Sequence, residues 1–145
     1  MKDAFELFIG LFYVFSLIGC IMKCYDFAPP AVSILNNDVQ LEEANIDWRS
    51  IKYYRKETKD ILSLGREQKQ VSVNPGQQEF LVFNSEDFAI EDLNVTVWKK
   101  DNNIKLELKD NHSFYFPTDK GDYVIEVNLL TDSGKAQYVG NVFIQ

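Results

Sequence analysis

The sequence predicts an all-β protein, an antiparallel β-sandwich carried behind a hydrophobic N-terminal segment. Three observations predict it. Residues 93–98, 104–108 and 123–130 alternate apolar with polar side chains, the period of strands buried on one face. Aromatic residues make up 14% of the chain, and Val, Ile and Tyr are frequent, which favours strands over helices. The stretch Asp119-Lys120-Gly121-Asp122-Tyr123 reads as a corner between strands, where Gly takes a tight backbone and Tyr folds inward with its hydroxyl bonded upstream.

The chain has 145 residues, enough for one core once its N-terminal run is set aside. A net charge of −7, with the basic residues interspersed among acids, argues against a nucleic-acid partner, because phosphate neutralisation needs clustered Lys and Arg. The two cysteines, Cys20 and Cys24, both fall in or just after the apolar run, so no disulfide staples the remaining chain.

In chain order, residues 7–22 (LFIGLFYVFSLIGCIM) carry no charge and must leave water. A helix of that length measures about 24 Å at ~1.5 Å per residue, short of a bilayer core of about 30 Å, so a signal and a spanning anchor both compete for it. Residues 1–24 are therefore expected to be a hydrophobic signal or membrane anchor. Pro29 and Pro30 stop any helix, and the acidic stretch 32–46 has no sustained period, so 25–46 is expected to be a linker. The domain is expected to span 47–145 and to complete a core by itself, opening with a strand over 47–54 that Trp48 docks. Residues 57–64 predict one or two helical turns closed by Gly65. Residues 70–73 and 80–83 predict short strands around the turn Asn74-Pro75-Gly76-Gln77. The acidic stretch 85–92 reads as a solvated loop pinned by Phe88 and Ile90, since its spacing fits no calcium loop.

Two alternating runs about Asp101-Asn102-Asn103 predict a hairpin. Trp98 falls out of phase with its apolar neighbours, so it either faces solvent as a contact residue or covers the opposite side of the strand. Among Phe114, Tyr115 and Phe116, period-2 geometry turns Tyr115 outward if the two Phe point in. The chain then takes the corner and closes with a hairpin at Asp132-Ser133-Gly134, whose last strand carries Ala136, Tyr138, Gly140, Val142 and Ile144 in one phase.

Leu17-Ile18-Gly19-Cys20 resembles the lipobox of bacterial lipoprotein signal peptides. The resemblance implies cleavage before Cys20, a lipid on its sulfur and a protein held on the membrane outside the cytoplasm. From Gln70 onward the order of strands and turns is similar to an immunoglobulin-like domain, with Asp119, Gly121 and Tyr123 matching its tyrosine corner. Ile125 stands where antibody domains have cysteine. The resemblance implies an architecture and no activity.

Catalysis is not expected. The single imidazole, His112, adjoins Ser113 on a presumed strand, where neighbours point to opposite faces. No metal or cofactor motif is present. Two functions from different classes follow. One is a membrane-tethered binding module for another envelope protein or a surface polymer, with Trp98 and Tyr115 as contact residues. The other is an accessory subunit that completes a partner's sheet by edge-strand pairing.

Overall fold

A computed structural model describes residues 28–34, 38–50, 52–85 and 87–145; the apolar run with Cys20 and Cys24 lies outside the described residues. In chain order the elements are β1 (Val32–Ile34), β2 (Val39–Gln40), β3 (Glu42–Arg49), β4 (Tyr53–Lys56), α1 (Ile61–Glu67), β5 (Gln70–Val73), β6 (Gln78–Phe80), β7 (Val82–Phe83), β8 (Ile90–Lys99), β9 (Asn102–Leu106), β10 (Ser113–Tyr115), β11 (Gly121–Thr131) and β12 (Gly134–Ile144). Among the described residues the protein is all-β apart from this one short helix, and the sheets are antiparallel except where β5 runs parallel to the end of β12.

The terminal hairpin is the spine. β11 and β12 pair without interruption from Gly121↔Ile144 to Thr131↔Gly134, and β8 pairs along the other side of β11. The large sheet runs β4-β3-β12-β11-β8-β9, with β5 beside the far end of β12. Two small sheets, β2-β1-β7 and β6-β10, contribute to the core over its inner face. Alternation sorts the side chains. Tyr123, Ile125, Val127 and Leu129 enter that core with Val95, Val97, Tyr138, Val142 and Ile144, while Val124 and Val139 face the other way and receive Ile61, Leu62 and Leu64 of α1. The expected hairpins at 101–103 and 132–133 are both present.

The expected linker is part of the fold. Val32, Ile34, Leu41, Ala44 and Ile46 are all buried, and the Tyr138 hydroxyl donates to the Pro30 carbonyl at 2.7 Å inside the core. The core therefore takes in residues well before 47, from Pro30 and Val32 onward. The reason the segment reads as a tether is local. β1 and β2 form a very short hairpin, and the register of β3 on β12 shifts between Ala136 and Tyr138, so two residues, Ala44 and Asn45, oppose the single Gln137. The bulge sends Ala44 toward α1 while Ile46 and Trp48 enter the main core, so the alternately buried positions of β3 lie on two faces. The strand expected over 47–54 likewise divides, β3 ending at Arg49 and β4 beginning at Tyr53. Trp48 does dock it, edge-on to Phe88 at 5.6 Å.

The helix also departs from expectation. Asp60 caps its start by accepting from the Ser63 amide at 3.1 Å, and the helix continues through Gly65 to Glu67. Gly65 is not a cap but a point of close approach: a Cβ there would come within 2.5 Å of Val124 Cγ1. The turn at 74–77 closes through the Gln77 amide on the Asn74 carbonyl at 3.1 Å, yet its flanking strands join different sheets. In the 85–92 loop Phe88 packs on the core, whereas Ile90 is exposed.

Candidate functional site

Three places on the domain hold the residues that the sequence singles out. The first is the corner between β10 and β11. The Tyr123 hydroxyl donates to the Asp119 carbonyl at 2.7 Å, and Gly121 has φ +137°, a conformation open to glycine at little cost. Lys99, from the end of β8, clamps the outside. Its ammonium donates to the Asp119 carboxylate and to the Lys120 carbonyl, both at 2.8 Å, and lies 5.7 Å from the centre of the Tyr123 ring. The hydrogen bond from Lys99 holds the Asp119 carboxyl below the usual carboxylate range and raises Lys99 in turn, while burial raises the Tyr123 phenol. Lys99 carries no local sequence signal for this role, because 20 residues separate it from Asp119.

Tyr123→Phe is expected to cost about 1 kcal/mol, the net worth of one intramolecular hydrogen bond, since the ring and its packing stay. Urea denaturation reads it. Unchanged stability would show that the hydroxyl contributes nothing at this corner.

The second place is the outer face of β6 and β10. Phe114 and Phe116 are buried and Tyr115 is 50% exposed, with the Lys109 ammonium 5.3 Å from its ring centre. Phe80, paired with Ser113 in register, is 43% exposed on the neighbouring strand. His112 is not on the strand. It sits just before β10 at φ +64°, edge-on to Phe83 at 5.5 Å, and the Ser113 hydroxyl donates instead to Asn111 Oδ1 at 2.6 Å.

The third is the outer face of the large sheet. Trp98 covers this face rather than projecting into solvent: it is half-buried beside Val124 and Val139, and its Nε1 donates to Glu126 Oε1 at 2.8 Å. Glu126 is 8% exposed. Its other oxygen accepts from Asn128 Nδ2 and from Gln137 Nε2, both at 2.7 Å. Asn94↔Asn128 and Asn128↔Gln137 are register pairs, and the β3 bulge brings Asn45 opposite Gln137, so four side-chain amides stand in one row across β8, β11, β12 and β3. Asn45 Nδ2 donates to Gln137 Oε1 at 2.7 Å, Asn128 Nδ2 reaches Asn94 Oδ1 at 3.3 Å, and the Thr58 amide donates to Asn45 Oδ1 at 2.7 Å. Above the row lies a cleft of about 290 Å³, edged by Asp92, Leu130 and Lys135. These amides are spread from residue 45 to residue 137 and carry no sequence motif, so only strand order could assemble them.

Cys20 lies outside the described residues. Among the described residues no helix is long and apolar enough to cross a membrane, and no three His, Cys, Asp or Glu residues are grouped to hold a metal ion. A scan against protein-family models matches none, and searches of curated proteins and of solved structures return no match.

Proposed function

We propose that the chain is a membrane-tethered, extracytoplasmic binding module built on an immunoglobulin-like sandwich, a binder rather than an enzyme. Strand order supports the architecture. β12-β11-β8-β9 follows the G-F-C-C′ order of such sandwiches, and β6-β10 follows the B-E pair of the opposite sheet. The observation that carries the reading is the corner: Tyr123, near the start of the F-like strand and just after the chain leaves the E-like strand, donates its hydroxyl four residues upstream. β1–β4 and α1 are additions to that plan. Attachment rests on the uncharged run at 7–22 and the lipobox-like Leu17-Ile18-Gly19-Cys20.

The partner is another envelope protein or a surface polymer, and Tyr115 with Phe80 is the exposed aromatic pair suited to it, since Tyr is enriched at contact hot spots. Trp98, bonded to Glu126, is not carried forward as a contact. An accessory role through edge pairing is favoured by one observation: β9 is an outer strand of the large sheet, opposite β4 at the other edge, with Ile104 48% exposed.

Crosslinking and pull-down from membranes test the reading. Tyr115→Ala should reduce partner recovery while leaving the near-UV CD spectrum unchanged, whereas self-association of the wild-type protein by light scattering would favour the edge reading. Cys20→Ser tests the tether. A lipoprotein should lose its lipid, whose methylenes contribute about 0.8 kcal/mol each to anchoring, and accumulate at precursor mass, because maturation depends on that sulfur. An intact-mass spectrum of the wild-type protein still beginning at Met1 would defeat lipidation.

A further inference from the structure

We infer that the amide row on the outer face of the large sheet is a binding site for a neutral glycan segment, seated in the cleft of about 290 Å³ above it. The inference goes beyond the binding-module reading by adding a second surface, apart from the Tyr115 face, with its own chemical class of ligand, and it rests on that reading only for where the glycan comes from.

The row is long enough and has spare bonding capacity. Four adjacent strands at ~4.8 Å spacing set the outermost amides about 14 Å apart, the scale of two to three sugar rings. Each side-chain amide has two N–H donors and one carbonyl acceptor. The bonds within the row use one N–H each of Gln137 and Asn45, and both of Asn128. Among the described residues, the Asn128 carbonyl and the second N–H groups of Gln137 and Asn45 have no partner. Donors and an acceptor thus stand side by side, the pattern that vicinal hydroxyls need, because each hydroxyl both donates and accepts.

The row is held in place from its side. Glu126, two residues before Asn128 on the same face, takes N–H bonds from Trp98, Asn128 and Gln137, and this fixes which end of the Asn128 and Gln137 amides points toward it. No cation pairs with this carboxylate among the described residues. A buried carboxylate served only by neutral donors adds little to stability, but it orients the two central amides before any ligand arrives, which lowers the ordering cost of binding. Helix α1 covers the neighbouring part of the same face and leaves the row open.

The rim selects a neutral ligand. Asp92 and Lys135 flank Leu130 in register on adjacent strands, one charge of each sign, and the Glu126 carboxylate beside the row has no cation partner among the described residues, so the cleft presents no positive field to attract a phosphate. Leu130 supplies an apolar surface for the C–H face of a sugar ring.

Titration of the isotope-labelled full chain with maltotriose and with triacetylchitotriose, followed by the side-chain amide resonances, tests the site. The protein is held in a detergent without a sugar headgroup. Saturable shifts of the Asn45, Asn128 and Gln137 side-chain amides are expected with at least one of the two sugars. Asn128→Ala should weaken binding about ten-fold, the effect of one lost hydrogen-bonding group. If that variant disturbs the fold, Leu130→Ala at the rim should weaken binding without touching the network. No shift with either sugar at tens of millimolar overturns the proposal, as do shifts confined to the Tyr115 face or saturation of the row by a peptide instead. Cys20→Ser leaves these resonances in place, so failure of the tether and failure of the glycan site are read separately.

Discussion

A fragment that begins at Ile46 is expected to be molten or aggregated, while one that begins at Ala28 unfolds cooperatively. The shorter fragment lacks Val32, Ile34 and Leu41, all buried in the main core, and Ala44, buried beneath α1. Each large side chain contributes about 1.5–3 kcal/mol on burial, so losing three of them removes roughly 5–9 kcal/mol. A domain of this kind has only about 5–15 kcal/mol in total. The cut also leaves the Tyr138 hydroxyl without the Pro30 carbonyl, inside a core where water cannot replace it. Near-UV CD and urea titration of the two fragments decide it. Native, cooperative behaviour of the Ile46 fragment would mean that β1 and β2 are ornaments on a core complete without them.

Gly134→Ala is expected to cost about 3–5 kcal/mol, the largest effect of any single methyl group in the domain. Gly134 closes the two-residue turn of the terminal hairpin at φ +143°, where a side chain adds about 1–3 kcal/mol of backbone strain. A Cβ there would also lie 2.1 Å from the Asp47 carbonyl oxygen and 3.0 Å from Trp48 Cα, both in the backbone of β3. Backbone cannot rotate aside as a side chain can. β3 must lift from β12 at its first pairs, Gly134↔Trp48 and Lys135↔Asp47, and Trp48 leaves its contact with Phe88. Thermal unfolding of Gly134→Ala beside Ser133→Ala, which alters the same turn without that contact, separates the cause. A variant as stable as the parent would show that β3 yields at no cost.

Features built from neighbours in the chain were legible in the sequence. The β8–β9 and β11–β12 hairpins follow from alternation over runs of five or more residues on either side of a polar turn, and pairing across such a turn needs no information from elsewhere. The Tyr115 exposure follows the same way, because Phe114 and Phe116 occupy the opposite pleat. The Asp119-to-Tyr123 corner is equally local, its hydrogen bond spanning four residues.

What tertiary structure alone decided depends on partners distant in the chain. Residues 32–46 read as a tether because their apolar positions are few and irregularly spaced; β12, about ninety residues later, supplies the edge that makes β3 a strand. The depth of Gly65 is set by Val124, and the face that Trp98 covers is set by Glu126 on the adjacent strand. The amide row has the same origin. Asn45, Asn94, Asn128 and Gln137 are ordinary surface residues in sequence, and they become a site only because hydrogen-bond register across four strands brings them into line.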